Sequence, residues 1–327
     1  MAIGSGIGSQ LGITSETTFN TAVTVDHFLE FTSENIALNK KVSVGSGLRA
    51  GGKVPRTQRR VVTSSEVKGD IVLDLPSRGL GLLLSKSMGT VPAAVTTTTG
   101  VYSYTFTLGD LYGKSMTVQV GVPQYGGTVT PKTVTGAKVS SFELSVANSG
   151  IAVGKFNIDG AAMTTGISLA SATFTNFATT NLFNFSQGSI TIDGSTVTNI
   201  RDFSVMVDNA IKPDRFTLNT TGIKSEQVIQ GFRKISGKFT AEFTDTTLLT
   251  KFLADTSANI VVTFTGATIA LGAKELLTIT IPAAKFNADT PNVAGPGVVD
   301  LSMDFDAYDD GTNEPLTIVY QTADAAL

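Results

Sequence analysis

The chain has 327 residues, enough for one large domain or two ordinary ones, and 41% are hydrophobic, so a real core can form. With no cysteine and one histidine it lacks disulfides and thiolate metal sites, and transition-metal catalysis has almost no ligands to use. Charged residues are only 16% and the net charge is −3, which points to a protein that hides much of its surface in an assembly.

The N-terminal stretch MAIGSGIGSQ has neither a basic region nor a long apolar one, so it does not read as a signal peptide. Gly4-x-Gly6-x-Gly8 lies too early for a dinucleotide fingerprint and reads as a flexible arm. His27 stands at the start of a Phe28-Leu29 strand, without the partners a catalytic triad needs, and reads as an edge-strand histidine.

Residues 45–60, GSGLRAGGKVPRTQRR, place Gly47, Gly52 and Lys53 at P-loop spacing. The residue that should hold Mg²⁺ is Val54, and Pro55 biases it away from helical angles, so the nucleotide reading fails. Arg49, Lys53, Arg56, Arg59 and Arg60 crowd the stretch with no acid among them. It also has no aromatic to stack on bases, which weakens a nucleic-acid clamp. Two readings stay open: a mobile basic loop that docks on an acidic protein surface, and a solvated loop.

Ile71, Leu73 and Leu75 share one face of a strand. Ser77 then opens a helix with Leu80, Leu83 and Leu84 on one face and Gly89 as its stop. Strands follow at 115–120 and 142–146, each with period-2 alternation. Residues 164–176 are small and polar, like a joint. Beyond it, 238–243 reads as a strand, and Thr244-Asp245 opens a helix with Leu248, Leu249, Phe252 and Leu253 on one face. Asp304 and Asp306 alternate with Met303 and Phe305, as on a strand with a solvated face. Asp309-Asp310-Gly311 is a turn, and Tyr308 breaks the Ca²⁺-loop pattern. The strands predict antiparallel sheets. No apolar run approaches the roughly 18 residues of a membrane helix.

The chain repeats itself. Residues 28–38 match 182–192, Gly69 matches Gly237, and Leu80 falls on Leu248. Ala137-Lys138-Val139 falls on Ala284-Lys285-Phe286, and 150–159 on 297–306 with the same offset. The expectation is a tandem duplication, with domains at 1–165 and 166–327. The first carries 14 Lys+Arg against 10 Asp+Glu and the second 10 against 17. This polarity suits head-to-tail self-association.

SQLGITSETTFNTAVTVDHFLEF, GLRAGGKV, the Gly69 strand with its helix, and GDLYGKSMTVQVG resemble the major tail (tail tube) proteins of long-tailed bacteriophages. The similarity is clearest over residues 1–160. It implies a mainly β fold, here two tandem copies of a tail-tube-like β-sandwich or barrel domain, each with one flanking α-helix. It implies stacked rings forming a hollow tube through which DNA passes, without enzymatic activity or cofactor. The long loop, with Arg49, Lys53, Arg56, Arg59 and Arg60, would reach the adjacent ring. Implied partners are further copies of the chain and the tape measure, tail terminator and distal tail proteins. Assembly would occur in the host cytoplasm, with no membrane contact. The duplication adds that three chains would complete a pseudo-six-fold ring. Rival readings are a capsid decoration or tail-tip adhesin protein, and a carbohydrate-active enzyme using Asp304 and Asp306, which lacks a Trp sugar platform.

Overall fold

The computed structural model describes residues 4–174, 179–288, 290–293 and 295–327. The first half of the chain forms β1 (Gln10–Ser15), β2 (His27–Leu29), β3 (Ser33–Glu34), β4 (Ala37–Val44), β5 (Arg60–Asp74) and α1 (Gly81–Met88). It continues with β6 (Val95–Thr98), β7 (Val101–Phe106), β8 (Met116–Pro123), β9 (Val129–Val146), β10 (Ala152–Gly160) and β11 (Ala162–Thr164). The second half forms β12 (Gly188–Ile192), β13 (Ser195–Val197), β14 (Ile200–Asp208), β15 (Lys234–Glu242) and α2 (Thr247–Leu253). It ends with β16 (Ala258–Ala270), β17 (Ala273–Ala288), β18 (Asp300–Ala307) and β19 (Thr317–Thr322).

The protein is mainly β, and the ladders between these strands are antiparallel. One long sheet runs through both halves in the order β4, β5, β10, β9, β14, β15, β18, β17. Two further sheets complete the sandwich. The first-half sheet runs β2, β1, β8, β9, β11. The other runs β13, β12, β16, β17, β19, β7, β6 and so borrows a hairpin from the first half. The long strands β9 and β17 each pass from one sheet to another, with register shifts near the crossing that let them bend.

Alternation explains the core. Ile71, Leu73, Phe156, Phe142, Leu144, Val205, Phe239, Met303 and Phe305 all face inward from the long sheet and are buried. Phe142 stacks on Phe156 with centroids 6.0 Å apart, and Phe203 on Phe305 at 6.1 Å. Cutting such a ring back to alanine costs about 3–5 kcal/mol.

The ladders repeat in register. β5–β10 pairs Asp70 with Asn157 and Ile71 with Phe156, whereas β15–β18 pairs Lys238 with Asp304 and Phe239 with Met303. Adding 168 to the first member and 147 to the second converts either first-half pair into its second-half partner. Lys138–Asp159 in β9–β10 becomes Lys285–Asp306 in β17–β18 by adding 147 to both. The matched segments 28–38 and 182–192 diverge instead. The strand preceding β15 in its ladder is β14, and β12 pairs with β13 and β16.

Three local expectations change. Helix α1 starts at Gly81, not near Ser77. Ser77 is buried, and its hydroxyl accepts from the Asn181 amide, so it cannot cap the helix. Every α1 residue is buried, and Gly89 ends the helix at φ +87°. Helix α2 buries Leu248 alone, while Leu253 is 69% exposed, so its apolar face is narrower than its sequence implied. Gly4–Gly8 is not a free arm. Residues 6–8 form a 3₁₀ turn, and a Cβ on Gly4 would lie 2.5 Å from the Pro123 carbonyl oxygen. Of the joint, Thr175 and Asn176 lie outside the described residues. Its earlier part is anchored: Gln119 donates to the Ser168 carbonyl and accepts from the Ala170 amide.

Candidate assembly surfaces

Among the described residues the long sheet has two free edges. β4 pairs only with β5. β17, from Lys285 onward, pairs only with β18. Unpaired edges invite strand addition unless they are covered.

From the middle of β4 the chain runs out into an arm over residues 40–65, a two-stranded ribbon with its tip at 45–59. A lone hairpin is marginal in water unless it packs on something. Here residues 45–63 are all exposed, including Leu48 and Val54. The structure puts all five expected cations on this arm. Arg49 and Lys53 lie in the tip, and Arg56, Arg59 and Arg60 on its return. None makes an ion pair among the described residues. Arg59 folds back along Gly45, whose amide donates to the Arg59 carbonyl at 2.9 Å. Lys53 opens no α-helix: one 3₁₀ turn, Thr57–Arg59, leads straight into β5, so the P-loop likeness ends at its spacing.

The second arm, residues 209–233 between β14 and β15, behaves oppositely. It folds onto the first half and is held by buried charge. Lys224, fully buried, binds Asp159 and reaches Glu66 at 3.3 Å. Lys138 donates to Glu226 and to the Leu111 carbonyl at 2.7 Å, and to the Gln227 carbonyl at 2.8 Å. Gln227 donates to the Asp159 carbonyl at 3.0 Å. Arg233 donates to the Met88 and Gly109 carbonyls. Burial pushes the Asp159 carboxyl up, against the pull of Lys224, and pushes the Lys138 ammonium down, against Glu226. Glu66 is also penalised by burial, but Lys68 and Lys224 outweigh that and hold its carboxyl below the ordinary value. Sequence reasoning missed this cluster. Its members are scattered along the chain, and the contacts span up to 158 residues.

The side of the long sheet that faces away from the core is polar. It carries Asp70, Asp74, Glu143, Asp202, Asp208, Glu242, Asp300, Asp304 and Asp306 against Lys68, Lys155, Lys234, Lys238 and Lys285, with Arg201 bridging Glu242 at 2.6 Å and Asp300 at 3.1 Å. Lys155 meets Asp70 at 3.2 Å and Lys234 meets Asp306 at 3.4 Å, and acid is left over. Asp304 and Asp306 thus belong to a broad charged face. Asp310 accepts from the Thr312 and Asn313 amides, closing a turn through Gly311 at φ +74°. His27 sits on edge strand β2, between the Asp26 carboxylate at 2.7 Å and the Leu327 carbonyl at 2.8 Å. No helix among the described residues is long and apolar enough to cross a membrane.

Free edges, a charged arm and a polar sheet face define a structural β-sandwich protein whose working parts are its surfaces. The sequence pattern of one family, described as phage tail tube protein, matches residues 6–307. The chain belongs to that family, and so is a structural component of a bacteriophage tail. No curated protein matches it.

Proposed function

We propose that the chain is a tandem duplication of a tube domain, with units at 1–165 and 166–327, and that three copies close a pseudo-six-fold ring. The observation that carries this reading is the ladder between β9 and β14. It joins the two halves through Phe142–Val207 and Leu144–Val205. The repeated register makes it a template for the contact between chains. Leu38 pairs with Val67 as Val207 pairs with Ile235, so β4 occupies the place of β14. Asn287 pairs with Asp304 as Ser141 pairs with Asn157, so β17 occupies the place of β9. The free edge of β17 then takes β4 of the next chain, with Asn287 opposite Asn39. The two edges differ, so the contact is head-to-tail and closes by rotation. Closure removes every exposed edge of the long sheet.

In this ring the acidic face lines the lumen. Carboxylates repel the phosphates of passing DNA, so the wall guides DNA without holding it. The arm bearing Arg49, Lys53, Arg56, Arg59 and Arg60 grips another copy, and stacking of rings through the arm's tip builds the tube. The tape measure, terminator and distal tail proteins would bound the tube's ends, with assembly in the host cytoplasm before incorporation into the virion.

Electron microscopy and mass measurement of the purified protein test the reading. The expected species is a ring of three chains with six similar lobes, or a tube of such rings. A ring of six chains would refute the duplication-based count.

A further inference from the structure

The cleft beside Phe232 has a filled counterpart in the other half. In the first half, the second arm covers the region where β5 runs past the end of β10. The Ser65 amide donates to the Gly222 carbonyl at 3.1 Å, and Lys224 binds Asp159. The register shifts carry this site across the molecule. Asp159 becomes Asp306, and Val67 becomes Ile235. Around them lies an open cleft of about 810 Å³, whose lining includes Ile229, Phe232, Tyr308 and Asp309. The Asp306 side chain is 25% exposed, and its partners are the exposed Lys234 and the Asn287 amide at 3.0 Å.

The missing occupant can be read from the same arithmetic. Moving back by 168, Lys224-Ser225-Glu226 falls without a gap on Arg56-Thr57-Gln58, a run of like residue types. The arms between the matched strand ends are nearly equal in length, and both begin as hairpins: Ile211 bridges Ile229, and Val42 pairs with Val62. Arg56 is exposed and has no ion pair among the described residues.

We propose that Arg56 of one copy enters this cleft on a second copy and pairs with Asp306, repeating between chains the contact that Lys224 and Asp159 make within one. The proposal rests on the ring reading and makes it specific. It gives Arg56 to the lateral neighbour within a ring and leaves Arg49 and Lys53, at the tip, for the ring above or below. One exchange separates the two sites. Glu66 is replaced by Lys234, so the incoming cation meets one paired carboxylate, with Asp309 on the rim. Arginine suits that setting better than lysine. Its fork can take both oxygens of Asp306, and the fully exposed Phe232 ring offers a face to stack on.

The test uses assembled full-length protein carrying Arg56→Lys, which keeps the charge and supplies an amine. Carbodiimide treatment should form an isopeptide bond between position 56 of one chain and Asp306 of another, identified by mass spectrometry. Covalent species on a denaturing gel should stop at three chains. A ladder past three through the same linkage would put the contact between rings, and intact rings without the linkage would remove it. A charge swap gives a second reading. Asp306→Arg should lower ring yield about tenfold or more, and adding Arg56→Asp should recover it. Circular dichroism should show both variants folded, and a folded double variant that fails to recover overturns the pairing. Unaltered protein that stays monomeric would remove the ring reading itself, and this contact with it.

Discussion

The two arms occupy matching places in the repeated ladders and have opposite fates. Residues 209–233 lie on the first half, with Lys224, Lys138 and Gln227 at most 1% exposed in their side chains or fully buried. Residues 45–63 touch solvent throughout. The difference follows from what each arm can reach. The second arm has a neighbouring half attached to it through the β9–β14 ladder, and the first arm has none on its own chain. The conformation of such an arm is therefore set by its receiving surface as much as by its own sequence.

The strongest way to break this comparison is to remove a buried partner. Lys224→Ala leaves Asp159 unpaired in the interior and should cost about 3–5 kcal/mol in urea unfolding. Arg56→Ala in the monomer should stay within about 0.5 kcal/mol. Equal effects would mean that the two arms are held alike. Limited trypsin digestion of the monomer sharpens the contrast. Cleavage after Arg49, Lys53, Arg56 or Arg59 should run on the order of a hundredfold faster than cleavage after Arg215 or Lys224. Comparable rates would show that the second arm opens as readily as the first.

The strands at the base of each arm should behave alike. A Cβ at Gly69 would lie 2.5 Å from the Ile36 Cα, and one at Gly237 2.5 Å from the Ser204 carbonyl oxygen. Each Gly→Ala change should cost about 1–3 kcal/mol, read from the denaturation midpoint. A cost at one site only would separate the two ladders. The last contrast is read in pH dependence and concerns helix α1. Burial, with Lys114 nearby, lowers the Lys86 ammonium in α1 to about 8 from 10.5. The unfolded chain therefore binds the extra proton between those values, and stability should rise as pH increases through that window. Lys86→Met should flatten this slope.

Much of the scaffold was legible in the sequence because period-2 alternation reports directly on a half-buried strand. Ile71–Leu73, Phe142–Leu144 and Met303–Phe305 announced their core faces, and the basic stretch announced an exposed loop. Ser77 misled because a helix-capping residue and a buried hydrogen-bond acceptor look the same in one dimension. The match of 28–38 to 182–192 misled because apolar strands resemble one another, while pairing depends on partners far along the chain. The Lys224–Asp159 contact left no local trace at all. Its only one-dimensional clue was the likeness of Lys224-Ser225-Glu226 to Arg56-Thr57-Gln58, which gains meaning once strand register fixes the offset.

The β9–β14 ladder has a kinetic consequence. It is a seam whose two sides are tethered from synthesis onward, so it forms at the chain's own effective concentration. In the proposed ring every second seam is of this kind and needs no encounter in solution. Nucleation of a ring then depends on a lower order of protein concentration than it would for single-domain subunits. In the proposed duplication the tether would also let the two units drift apart in sequence without losing each other, one arm becoming a fixed strut while the other stayed free to search.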